Sequence, residues 1–173
     1  MKKIIVITFL LVTSFSYSQK INKEIISKNK PILVGQLNKN GLTTVPYKSW
    51  FNLQYESYDI DKELINDIKS HINNYKVQIF MGTWCGDSKR QVPRFYKILE
   101  NANYKMKNLE VVGVGNGLEN YKKSPTGEEK GLNIKRVPTF IIYKNDKEIG
   151  RIIERPVHSL EKDLHAILVQ ASN

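Results

Sequence analysis

The chain contains one cysteine, Cys85, so it cannot close an intramolecular disulfide and is not a disulfide-stapled secreted scaffold. Histidine is almost as scarce. His71, His158 and His165 stand apart, with no spacing that gathers them around Cys85 for a metal, so neither a metal centre nor another cofactor is expected. There is no glycine-rich phosphate loop and no hydrolase nucleophile elbow, which removes two large enzyme classes. No zinc-finger spacing, helix-turn-helix signal or RNA-binding motif is present, so nucleic acid is not an expected partner. Acidic residues are outnumbered, 17 against 27 Lys and Arg, for a formal net charge of +10. The excess is scattered (Lys28/Lys30, Lys105/Lys107, Lys122/Lys123, Lys135/Arg136) and reads as a solvated basic surface that favours acidic partners non-specifically.

Long apolar runs are also missing, apart from one. Lys2-Lys3 precede the apolar stretch Ile4–Phe15, and Ser16-Tyr17-Ser18 offer small residues before Gln19. That stretch falls short of the roughly 20 residues a spanning helix needs, so residues 1–18 read as a signal peptide. No cysteine follows it, which argues against a lipid-modified N-terminus. The expectation is an exported protein, periplasmic or secreted, with no stable membrane insertion once the signal is removed.

What remains has the composition of one globular domain with some extra chain, 40% hydrophobic and 25% charged. Residues 19–60 read as an N-terminal extension. Pro31–Val34 is a short strand and Asn38–Thr44 a polar turn. Tyr47, Trp50, Phe51, Tyr55 and Tyr58 follow as an aromatic group that either packs on the core or covers a site. Residues 61–173 are regular. Apolar spacing predicts a helix over 61–72, and Val77–Met81 a buried strand. A helix over 86–100 contains Pro93, and Leu109–Val114 is the next strand. After a polar loop over 116–130, Phe140–Tyr143 and Ile149–Ile153 form a hairpin around Asn145-Asp146. Ser159 caps a last helix.

Cys85 therefore lies where a buried strand gives way to a helix. The unpaired N–H groups and positive potential of a helix start favour a thiolate there. Gly86 leaves the sulfur accessible, and Lys89 and Arg90 add positive charge one turn on. Asp87 opposes them. From the residues alone Cys85 is a reactive thiol, an intermolecular partner or a buried inert one.

The stretch Phe80-Met81-Gly82-Thr83-Trp84-Cys85-Gly86-Asp87-Ser88 resembles the active-site strand and turn of the thioredoxin family, whose usual motif is Trp-Cys-Gly-Pro-Cys. Pro93 stands where the family carries its helix proline. Ile134-Lys135-Arg136-Val137-Pro138-Thr139-Phe140 resembles the family's second signature, which implies a cis proline at Pro138 facing the cysteine. Pro93-Arg94-Phe95 and the export signal are similar to the TlpA-like branch. The resemblance spans about 61–171 and implies an α/β fold, a central mixed β-sheet flanked by helices.

It also implies a site: Cys85 as nucleophile, Trp84, Gly86, Asp87 and Ser88 around it, and Val137, Pro138 and Thr139 as the substrate-binding segment. Two departures qualify the activity. Ser88 replaces the second, resolving cysteine, and Ile79 stands where the family buries an aspartate. Cys85 can form a mixed disulfide but cannot resolve it alone, although the Ser88 hydroxyl can reach the thiolate across one turn. The Cys-Gly-x-Ser pattern is similar to monothiol glutaredoxins. The expected function is thus monothiol thiol–disulfide exchange on disulfide- or thiol-bearing protein clients, completed by an external small-molecule thiol. The alternative is a non-catalytic binding module for an extended client.

Overall fold

The computed structural model describes residues 20–171, so the expected signal peptide lies outside the described residues. Five strands form one core sheet with a sixth at its edge: β1 (Lys23–Ser27), β2 (Lys30–Leu37), β3 (Lys76–Met81), β4 (Leu109–Gly113), β5 (Thr139–Lys144) and β6 (Lys147–Ile153). Their spatial order is β1-β2-β4-β3-β5-β6. Only β3 and β4 run parallel, and the other neighbours are antiparallel. The helices are α1 (Lys39–Leu42), α2 (Lys48–Glu56), α3 (Lys62–His71), α4 (Gly86–Asn101) and α5 (Leu160–Gln170). This is a mixed sheet flanked by helices.

Local chemistry explains the boundaries. The Asp61 carboxylate accepts from the Leu64 N–H at 3.2 Å and the Ser159 hydroxyl from the Lys162 N–H at 3.1 Å, which starts α3 and α5. Asn145 and Asp146 both take positive φ, the conformation of two-residue hairpin turns, and join β5 to β6. Lys28 and Asn29 do the same between β1 and β2. Strand β1 was not expected from the sequence, because most of its side chains are exposed and leave no clean alternation. The expected polar turn over 38–44 contains the single helical turn α1, held by Asn38 accepting from the Gly41 N–H.

Alternation along β3 divides the interior. Val77, Ile79 and Met81 face an apolar cluster shared with α2, α3, α4 and α5. Phe80 faces the other way with Val112 and Ile141, and Val114, Leu132, Ile134 and Val137 close that side from irregular segments. Residues of the N-terminal extension belong to the larger cluster, including Leu33, Leu42, Tyr47 and Phe51. The aromatic group therefore packs on the core, with Phe51 and Tyr96 edge to face at 5.7 Å. Gly113 lets β2 come close: a Cβ there would lie 2.6 Å from the Leu33 carbonyl oxygen. Among the described residues no helix is long and apolar enough to cross a membrane.

Candidate active site

The buried strand β3 ends at Met81, and the turn Gly82–Cys85 reverses the chain into α4. The Cys85 N–H donates to the Gly82 carbonyl at 2.9 Å, closing that turn. Gly82 is required here, since a Cβ would sit 2.5 Å from the Trp84 indole. Trp84 is fixed by its indole N–H, which donates to the Val114 carbonyl at 2.8 Å, and by ring contact with Tyr121. Thr83 is buried, and its hydroxyl accepts from the Leu33 N–H at 3.1 Å. That bond ties the N-terminal β2 to the loop before the cysteine.

Cys85 is half-buried and occupies the N-cap position of α4 with extended backbone. Its side chain makes no hydrogen bond to a helix amide; the thiol donates instead to the Val137 carbonyl at 3.2 Å. The Val137–Pro138 peptide is cis. Val137, Pro138 and Thr139 are buried where the chain enters β5. The Thr139 hydroxyl donates to the Arg136 carbonyl at 2.7 Å, and the Glu154 N–H to the Pro138 carbonyl at 2.6 Å. The structure thus brings Trp84 and Cys85 of one turn together with Val137 from a second, distant segment.

The other motif residues take different roles. Ser88 is fully buried, and its hydroxyl accepts from the Gly82 N–H at 3.2 Å. It makes no hydrogen bond to Cys85, so the expected contact with the thiolate is replaced by one that supports the turn. Asp87 is bonded to two arginines, Arg90 one turn on and Arg155 after β6 at 2.9 Å. Its charge is therefore paired rather than directed at the sulfur. Gly86 is exposed, and a Cβ on it would meet nothing within 4 Å. Ile79 is fully buried in the larger apolar cluster, so no carboxylate lies at that position beneath the site.

Sequence reasoning did not reveal Leu33, Arg155 or Val114 as parts of this arrangement. Nothing in their neighbourhoods signals it, because each acts through a partner distant in the chain. Pro93 lies inside α4 and withholds the backbone bond that Lys89 would otherwise accept. The histidines stay apart: His165 lies 3.8 Å from Asp67 between α5 and α3, away from Cys85.

Among solved structures, the chain is similar to a Pseudomonas aeruginosa protein of unknown function, at 16% identity and a TM-score of 0.50. That match covers 71% of this chain and 82% of the other. It is also similar to mitochondrial thioredoxin 3 of Saccharomyces cerevisiae, at 27% identity over 65% of this chain and 98% of that one, with a TM-score of 0.39. No curated protein matches it. The model of a family described as thioredoxin matches residues 42–164, which include the Cys85 turn, the Val137–Pro138 segment and part of the N-terminal extension. With that match over most of its length, the chain belongs to the thioredoxin family.

Proposed function

We propose that this protein is an exported monothiol thiol–disulfide exchange protein whose nucleophile is Cys85. The observation that carries the reading is the half-buried Cys85 sulfur at the start of α4, 3.2 Å from the Val137 carbonyl. A helix start supplies unpaired amides near the sulfur. The Val137 N–H forms no hydrogen bond among the described residues, so an extended client can pair with it as an added strand.

In the first step the Cys85 thiolate attacks one sulfur of a client disulfide. A bond forms between Cys85 and that sulfur, and the other client sulfur leaves as a thiolate and takes up a proton. Ser88 offers no sulfur for the second step. An external thiolate then attacks the client-side sulfur of the mixed disulfide; the bond to Cys85 breaks, the Cys85 thiolate is regenerated, and the client leaves joined by a disulfide to the external thiol. The dithiol cycle of thioredoxin-type reduction is not available to this chain.

The test is adduct formation under native conditions. Incubation with a peptide disulfide should yield one mixed disulfide per chain, mapped by mass spectrometry to Cys85, released by added thiol and absent from Cys85→Ser. A folded protein that forms no such adduct would leave the groove able to bind but not to exchange, and would overturn the reading.

A further inference from the structure

A cavity of about 280 Å³ lies between the end of β2, the start of β4 and the second half of α4, about three turns along that helix from Cys85. Leu37, Met106, Leu109 and Val111 form its apolar walls. Tyr96 and Glu100, one turn apart on α4, line it together with Asn38 and Lys39. The charges there are matched. The Lys39 ammonium lies 2.6 Å from one Glu100 oxygen and over the Tyr55 ring at 4.4 Å. The other Glu100 oxygen accepts from the Tyr55 hydroxyl at 2.5 Å.

Tyr96 is different. It is 2% exposed, and its hydroxyl makes no hydrogen bond among the described residues. Gln91 Oε1 is the one side-chain polar atom among them that is both sealed from solvent and unpaired. The Tyr96 oxygen is unpaired without being sealed, so the small open part of this side chain includes its hydroxyl, presented to the cavity that Tyr96 lines. Burial and the nearby Glu100 charge push the phenol above its ordinary value, which keeps the proton in place as a donor. Asn38 adds to the donors. Its side-chain oxygen accepts from the Gly41 N–H at 3.2 Å and the Asn22 amide at 2.8 Å, which leaves its own amide hydrogens unengaged.

We infer that this cavity is a binding site for a small, uncharged, largely apolar molecule carrying a carbonyl oxygen. The oxygen accepts from the Tyr96 O–H, and the carbon skeleton lies against Leu37, Leu109 and Val111. A hydroxyl buried without a partner carries a desolvation cost that such an acceptor removes. A carboxylate is disfavoured, because Glu100 stands beside the hydroxyl and the Lys39 ammonium is already paired. An amine meets the same matched pair from the other side. A cavity of about 150 Å³ holds a benzene ring. One of about 280 Å³ therefore admits a ring with a short side chain, and apolar walls with a few polar anchors are the usual make-up of such sites. Occupancy here is independent of exchange at Cys85.

The experiment titrates the protein with acetophenone, benzoate and benzylamine, which are similar in size but present a neutral carbonyl, an anion and a cation. Methyl resonances of Met106 and Val111, followed by NMR, report occupancy. We expect acetophenone to shift them saturably with a Kd of about 10 mM or tighter, and the two charged probes to bind at least about threefold more weakly. Tyr96→Phe keeps the ring and removes only the hydroxyl, and should weaken acetophenone about fivefold. In the wild type the Tyr96 Cζ resonance should move with the methyls, a readout that stands even if the variant does not fold. Absence of a saturable acetophenone shift would overturn the inference. Unchanged affinity in Tyr96→Phe, or a Tyr96 Cζ that stays still, overturns it in favour of a merely apolar groove. Tighter binding of benzoate or benzylamine overturns it in favour of a charged ligand on Lys39 or Glu100.

Discussion

The Arg155 guanidinium donates to the Asp87 carboxylate at 2.9 Å, joining the segment after β6 to the first turn of the helix that starts at Cys85. An unpaired Asp87 would oppose a second anion at the same helix end. Arg155 and Arg90 offset it from two directions. Arg155→Gln is therefore expected to slow alkylation of Cys85 at neutral pH about threefold, and Asp87→Asn to accelerate it by a similar factor. The rate with iodoacetamide at low and high salt checks this. Equal rates for the two variants at low salt would show that the pair does not act on the sulfur.

Ser88→Cys should convert the site to a dithiol. Oxidation should then remove both thiols as one intramolecular disulfide, and insulin reduction should appear where the parent shows none. The buried Gly82 N–H loses its hydroxyl acceptor in the exchange, because a thiol accepts only weakly. The reduced variant should be less stable by about 1–2 kcal/mol, measured by denaturant unfolding. A variant that forms the disulfide yet reduces no insulin would place the missing function elsewhere, with Ile79 the next position to change.

Phe51 belongs to α2 in the N-terminal extension but stacks on Tyr55 and meets Tyr96 of α4. It is 1% exposed. Phe51→Ala should cost about 3–5 kcal/mol, as for other fully buried aromatics. If the extension were only a loosely attached lid, chemical denaturation would show a far smaller loss.

High pH should loosen the same interface. Tyr47, Tyr55 and Tyr58 donate to Glu24, Glu100 and Glu161. Burial, then the hydrogen bond and charge of Glu100, pushes Tyr55 up to about 12. Burial and the partner carboxylates move Tyr47 and Tyr58 in the same direction. The folded state holds these protons more tightly than the unfolded chain, whose phenols titrate near 10. Their contribution to stability is thus complete below about pH 10 and is lost as pH rises through the folded values. Phenolate absorbance should lag behind free tyrosine and then rise together with unfolding. Titration of every tyrosine near pH 10 with the fold intact would contradict this.

How far the sequence foretold these features depends on how local they are. Strand β3, helix α4 and the β5–β6 hairpin are legible because an apolar run, a 3.6-residue stripe and an Asn-Asp turn each lie within a few residues. Strand β1 is not, because its side chains face mostly outward and it is defined by its partner β2. The site divides in the same way. Cys85 and Val137-Pro138-Thr139 announce themselves as short motifs. The bonds from Leu33 to Thr83 and from Arg155 to Asp87 span 50 and 68 residues, and no window of sequence contains both ends. Ser88 shows the remaining difficulty. Spacing puts it one turn from Cys85, but its burial directs the hydroxyl to Gly82 instead.

The bond from the Leu33 N–H to Thr83 has a consequence for observing this protein at work. It continues the edge of β2 beyond the last β4 pair, Gly35 with Gly113, and ends on the loop two residues before the nucleophile. The Leu33 amide is accordingly a built-in gauge. Its proton can reach solvent only when that loop shifts or the strand opens. Deuterium uptake at this one amide, followed as a client is added, reports movement beside Cys85 without any label near the sulfur.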